Sequence, residues 1–148
     1  MPGELQILGR AVKQAQYRHH RTLDARLALV GTTLAQWDAL RAIGRWPGAS
    51  ARELARETFQ SEQAFGTLAG RLVTQGLIER RPGHGRRLEH HLTPAGVSVL
   101  QAGHRVADEV LAASFAALNE TERGTLLGLL ERIGGEPPEE EPGPRLPG

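Results

Sequence analysis

The chain has 148 residues, 39% of them hydrophobic and 4% aromatic, with a formal net charge of +1. It has no cysteine, which excludes disulfides, thiolate metal sites and thiol redox sensing. This length suits one domain, or one core with an added oligomerisation element, and the core must come from Leu, Ala, Val and Ile. No apolar run approaches the roughly 18 residues of a membrane span, and no signal-peptide pattern opens the chain, so a cytoplasmic protein is expected.

The charge is unevenly spread. Between residues 34 and 93 the cations are Arg41, Arg45, Arg52, Arg56, Arg71, Arg80, Arg81, Arg86 and Arg87. The anions there are Asp38, Glu53, Glu57, Glu62, Glu79 and Glu89. Near the C-terminal end Glu136, Glu139, Glu140 and Glu141 stand against Arg145 alone. An acidic tail therefore hides a basic middle. Lys13 is the only Lys. An Arg-rich middle suits bidentate phosphate contacts, and equally fits a compositional bias.

Residues 4 to 30 read as a long helix with apolar residues at Leu5, Leu8, Val12, Ala15, Leu23, Leu27 and Val30. Such a stripe needs a covering surface, and a second copy of the chain is the simplest. Thr33 with Gln36 is a capping box opening a helix to about Arg45. Pro47-Gly48 makes a turn. Ser50 with Glu53 is a second capping box, opening a short helix through Glu57. Ser61 caps a third, from Glu62 to Gln75, with Phe65, Leu68, Ala69 and Leu72 on one face and Gly76 at its end.

A basic hairpin follows. Its first strand is Leu77 to Arg81, its tip holds Pro82, Gly83 and Gly85, and its second strand runs from Arg86 to Leu92. Alternation sets Leu88, His90 and Leu92 against Arg87, Glu89 and His91. Arg80, Arg81, Arg86 and Arg87 flank a tip of little bulk, which fits a phosphate backbone or a minor groove, or else is a solvated hairpin. Thr93-Pro94 opens a helix to about Leu118. Asn119 and Glu122 open a last one to Ile133. The fold class is mainly α with a small two-stranded β wing: a winged helix-turn-helix over residues 31–93, flanked by long helices at 4–30 and 94–133. Residues 134–148 are Pro/Gly/Glu-rich and expected to be disordered.

Across Leu5 to Ile133 this order resembles the MarR family of winged-helix transcription regulators. The match is carried by Gln36-Trp37-Asp38-Ala39-Leu40-Arg41, Glu53-Leu54-Ala55, Leu72 to Arg80, and above all the wing run GRRLEHHLTPAG. The resemblance implies a homodimer built from the first, penultimate and last helices. It also implies a palindromic operator, repression, and release by a small ligand. Family wings usually carry an Asp two residues before the wing arginine, and His84 stands there in this chain.

On the DNA reading, Ser61, Gln63, Thr67 and Arg71 face the major groove or its phosphates. Gln63 suits adenine, and Arg71 guanine or phosphate. Arg86 enters the minor groove, with Arg87 or Arg81 on the backbone. Arg52 touches a phosphate or pairs with a nearby Glu. Tyr17, His20, Trp37 and Arg41 are candidates for an effector pocket suited to an aromatic carboxylate or phenol, and Trp37 alone also fits core packing. The histidines form no metal-ligand spacing, so no metal or cofactor is expected. The recognition face is poor in donors, holding Glu62, Gly66 and Gly70. This favours a competing reading, a dimeric winged-helix interaction module with weak or non-specific DNA binding. Nothing supports an enzyme: no phosphate-binding glycine loop, nucleophile elbow or paired acids.

Overall fold

The structure, a computed structural model, describes residues 3–134; the Pro/Gly/Glu-rich stretch from residue 135 lies outside them. Helices are α1 (Glu4–Ala28), α2 (Leu34–Arg45), α3 (Ala51–Glu57) and α4 (Glu62–Thr74), then α5 (Pro94–Ser114) and α6 (Glu120–Ile133). Between α4 and α5 lie β1 (Ile78–Pro82) and β2 (Leu88–Leu92), an antiparallel pair in which Arg80 faces His90 and Pro82 faces Leu88. The chain forms two compact units whose boundary falls at Val110–Leu111, inside α5.

Local chemistry starts and stops the helices. Thr33, Ser50, Ser61 and Asn119 each accept a backbone N–H from three residues on. Ser50–Glu53 and Asn119–Glu122 are reciprocal capping boxes. The Thr33 cap is one-way, because Gln36 is buried and its Oε1 accepts from the Thr32 hydroxyl. Asp24 on α1 adds a second cap to α2 by accepting from the Leu34 N–H at 2.9 Å. At the end of α4, Gly76 takes φ +74°, and the N–H groups of Gly76 and Leu77 return to Val73 and Leu72. This double bond turns the chain sharply into β1.

The winged unit packs around Leu40, Ile43, Leu54, Phe65, Leu72 and Ile78, all 2% exposed or less. Each is worth roughly 1.5–3 kcal/mol of burial. A second cluster joins Leu23 and Leu27 of α1 to Trp37 of α2 and to Val106, Ala107 and Val110 of α5. Trp37 donates its Nε1–H to the Leu100 carbonyl at 3.3 Å and meets the His104 ring edge-on. Two glycines of α5 stand where no side chain would fit. A Cβ on Gly103 would come 2.2 Å from Trp37 Cδ1, and one on Gly96 would come 1.9 Å from the Leu77 carbonyl oxygen.

Several boundaries differ from expectation. α1 stops at Ala28 rather than Val30, α4 at Thr74 rather than Gln75, and β1 runs from Ile78 to Pro82, so Pro82 pairs with Leu88 in the sheet rather than lying in the tip. β2 begins at Leu88, so Arg86 and Arg87 belong to the tip, which the Gly83 N–H to Arg87 carbonyl bond closes at 2.8 Å. α5 ends at Ser114, because shorter-range bonds from Ala116 to Ala113 and from Leu118 to Phe115 tighten the chain before the Asn119 cap. The stripe of α1 is buried only in its second half. Leu5, Ile7 and Leu8 are more than half exposed. No residue of α6 is buried, and its Leu127 and Ile133 are also more than half exposed.

Candidate nucleic-acid interface

The 3.6-residue period divides α4 into two faces. Phe65, Ala69 and Leu72 go into the core, which leaves Ser61, Gln63, Thr67 and Arg71 exposed together. Their donors are not equal. The Ser61 hydroxyl accepts from the Ala64 N–H and keeps its proton for another acceptor. Thr67 donates back to the Gln63 carbonyl at 3.1 Å, and Thr74 to the Gly70 carbonyl at 3.1 Å. Their hydroxyl protons are therefore used within the helix. Gln63 and Arg71 hold no side-chain partner among the described residues, nor does the exposed Arg52 at the start of α3.

The wing arginines divide by role. Arg86 stands exposed at the tip beside Gly85, which takes φ +66°, and its guanidinium has no partner among the described residues. Arg81 pairs with Glu79 on the same strand through both Nε and Nη2. That pair is exposed and exchangeable. Arg87, expected as an alternative to Arg81 on the DNA backbone, is paired within the protein. It grips the Glu53 carboxylate at 3.0 and 3.3 Å and donates to the Gly48 carbonyl at 3.2 Å. It ties the wing to the start of α3. His84, where the family places an Asp, is exposed and makes no side-chain bond among the described residues.

His90 is a core residue. Its backbone N–H and Nδ1 both meet the Ala49 carbonyl, at 3.1 and 2.8 Å, and its own carbonyl accepts from the Gly48 N–H. An accepting carbonyl requires the proton on Nδ1, which leaves the buried Nε2 without a partner among the described residues. Burial lowers the imidazole pKa. The bond to Ala49 opposes this, and the charges of Arg80 and His91 add to it.

Among the described residues, Arg41 and Tyr17 border separate cavities. Arg41 pairs with Asp38 at 3.0 Å and lies over the Trp37 ring. It borders a cavity of about 390 Å³ with Asp38, Arg45, Trp46, Glu57 and Phe59. Burial raises the Asp38 pKa, against the pull of Arg41 and His20, so His20 lies within electrostatic reach. Trp37 is 4% exposed and packs in the core. Tyr17 accepts from Arg21 and borders a separate shallow groove along α1. Periodicity gave no sign of Phe59, which is 97% exposed and takes φ +56° in the turn before α4. Beyond the family resemblance, the sequence marks Glu53 as a helix cap and Arg80 as wing charge, and names neither one's partner.

Comparison with known proteins places these features. Residues 30–87 match the MarR family model. The putative transcriptional regulatory protein for hcr operon of Thauera aromatica is 32% identical over 139 residues, which span 90% of this chain and 80% of that protein. A mutant MarR from E. coli complexed with operator DNA superposes with a TM-score of 0.81 at 25% identity, covering 88% of this chain and 95% of that one. The MarR family protein Rv2887 of Mycobacterium tuberculosis, a transcriptional repressor, is solved with DNA at a TM-score of 0.73 and 27% identity, covering 86% of this chain and 97% of that one. It is also solved with p-aminosalicylic acid. The chain belongs to the MarR family of winged-helix transcription regulators.

Proposed function

We propose that this chain is a homodimeric, sequence-specific repressor acting in the cytoplasm. α4 enters the major groove of a palindromic operator, and Arg86 enters the flanking minor groove. The observation that carries this reading is the arrangement of cations. Arg52, Arg71 and Arg86 stand exposed and without partners among the described residues, while Arg87 is spent on Glu53 to hold the wing. Ser61 caps α4 and Gln63 lies in its first turn, where a recognition helix meets base edges. Two copies would set their α4 helices about one DNA turn apart, roughly 34 Å. The uncovered apolar residues of α1 and of α6 are the surfaces a second copy would bury.

An aromatic acid or phenol is the proposed effector, with Arg41 and the cavity beside it as the site. It would act by favouring a dimer whose two reading heads no longer match the half-sites. Selection from a random duplex pool tests the reading. A palindrome with half-sites about ten base pairs apart should be enriched. A pool that stays random would favour the interaction-module reading, which has the open Gly66 and Gly70 and the self-bonded Thr67 and Thr74 on its side.

A further inference from the structure

The strand register decides which wing arginine meets the recognition helix. Arg80 pairs across the sheet with His90, and Ile78 with Leu92. Cross-strand partners share a face, so Arg80 lies on the face that carries the buried Ile78 and His90. That face is turned to α4, for Ile78 packs in the cluster of Phe65 and Leu72, and the His90 ring meets Phe65 at 6.0 Å. Arg80 is the next position outward. It is exposed, and its Nη2 donates to the Gly66 carbonyl of α4 at 3.1 Å. Arg81 alternates to the opposite face and pairs with Glu79.

At Gly66 and Gly70 themselves α4 places no side chain. A Cβ added at Gly66 or at Gly70 would meet nothing within 4 Å. We infer that Arg80 is a DNA-contacting residue of the recognition face, supplied by β1 where α4 has only glycine. One N–H of the guanidinium is held by Gly66, and the rest of its fork has no partner among the described residues. The fork fits a pair of acceptors, either O6 and N7 of a guanine or two phosphate oxygens. The Gly66 bond also orients the guanidinium before DNA arrives, so less side-chain freedom is lost on binding. This inference rests on the DNA-binding reading above.

The test is fluorescence anisotropy with the duplex enriched by selection and with single base-pair variants of it. The proteins are wild type, Arg80→Ala, Arg80→Gln, Arg80→Lys and, as a control for charge, Arg105→Ala on α5. Arg80→Ala should weaken binding about tenfold or more. Arg80→Gln keeps a donor for the Gly66 carbonyl but not the charge, and should stay as weak as Arg80→Ala. Recovery in Arg80→Gln would mean the residue only props α4, and would overturn the inference. A guanine contact would remove preference at one base pair in all three variants. A phosphate contact would weaken every duplex alike and be largely restored in Arg80→Lys. Arg80→Ala binding as tightly as Arg105→Ala sinks the role of Arg80 while leaving the DNA reading intact. Wild type that prefers no sequence and ignores salt sinks both.

Discussion

Arg87 Nη1 lies 3.0 Å from Glu53 Oε1, and the same Glu53 carboxylate accepts the Ser50 N–H that begins α3. One carboxylate thus closes a helix cap and anchors the wing. Both side chains are about a third exposed, 31% and 33%, so solvent screens the pair. A double-mutant cycle of Arg87→Ala and Glu53→Ala, read by urea unfolding, should give a coupling of about 0.5–1 kcal/mol.

The same pair separates positioning from contact. Arg86→Ala should weaken DNA binding and reduce the slope of affinity against salt by about 1. Arg87→Ala should weaken binding through a misplaced wing and leave that slope unchanged. Titrations at several salt concentrations distinguish the two. A reduced slope for Arg87→Ala would put its guanidinium on a phosphate after all.

Glycines at close approach should behave oppositely to glycines in the open. Gly103→Ala would drive a methyl into Trp37, and Gly96→Ala into the Leu77 carbonyl. Each should cost roughly 1–3 kcal/mol or more. Gly66→Ala and Gly70→Ala meet nothing within 4 Å inside α4 and should stabilise the fold by about 1 kcal/mol each. Unfolding midpoints check the signs. Weaker DNA binding by the stabilised α4 variants would assign those glycines to close approach of the helix to DNA.

His90 makes stability depend on pH. Its folded pKa lies below the ordinary 6.5 because it is buried, so between the two values the unfolded chain holds more protons than the folded one. Stability therefore falls as pH drops below about 6.5, and is complete above it. His90→Asn keeps a donor for the Ala49 carbonyl and does not titrate. Its unfolding free energy should lose that part of the pH dependence. An unchanged profile would assign it to other groups.

Much of this was legible locally. Caps lie within four residues of the helices they start, so Thr33, Ser50, Ser61 and Asn119 marked four starts correctly. The buried face of α4 followed from its period. What stayed hidden is long-range. Arg87 and Glu53 are 34 residues apart, and nothing near either one names the other. Four arginines in eight residues look alike until the register turns Arg80 toward α4, the tip exposes Arg86 and the α3 cap captures Arg87. Alternation puts His90 on the face of Leu88 and Leu92, but nothing near it names its partner, the Gly48–Ala49 backbone.

The uncovered apolar faces predict assembly. Leu130→Glu in α6 or Leu8→Glu in α1 places a charge in a face that a second copy would bury. Light scattering should find the wild type dimeric and each variant shifted to monomer, with weakened DNA binding. Variants that remain dimeric would move the interface elsewhere.

The most direct test of the account is anisotropy of the purified protein on duplex DNA from its own upstream region, against a scrambled duplex, at two salt concentrations. The expected result is selective binding that weakens with salt and is markedly weaker in Arg86→Ala. Equal binding to both duplexes, unaffected by Arg86→Ala, would contradict it.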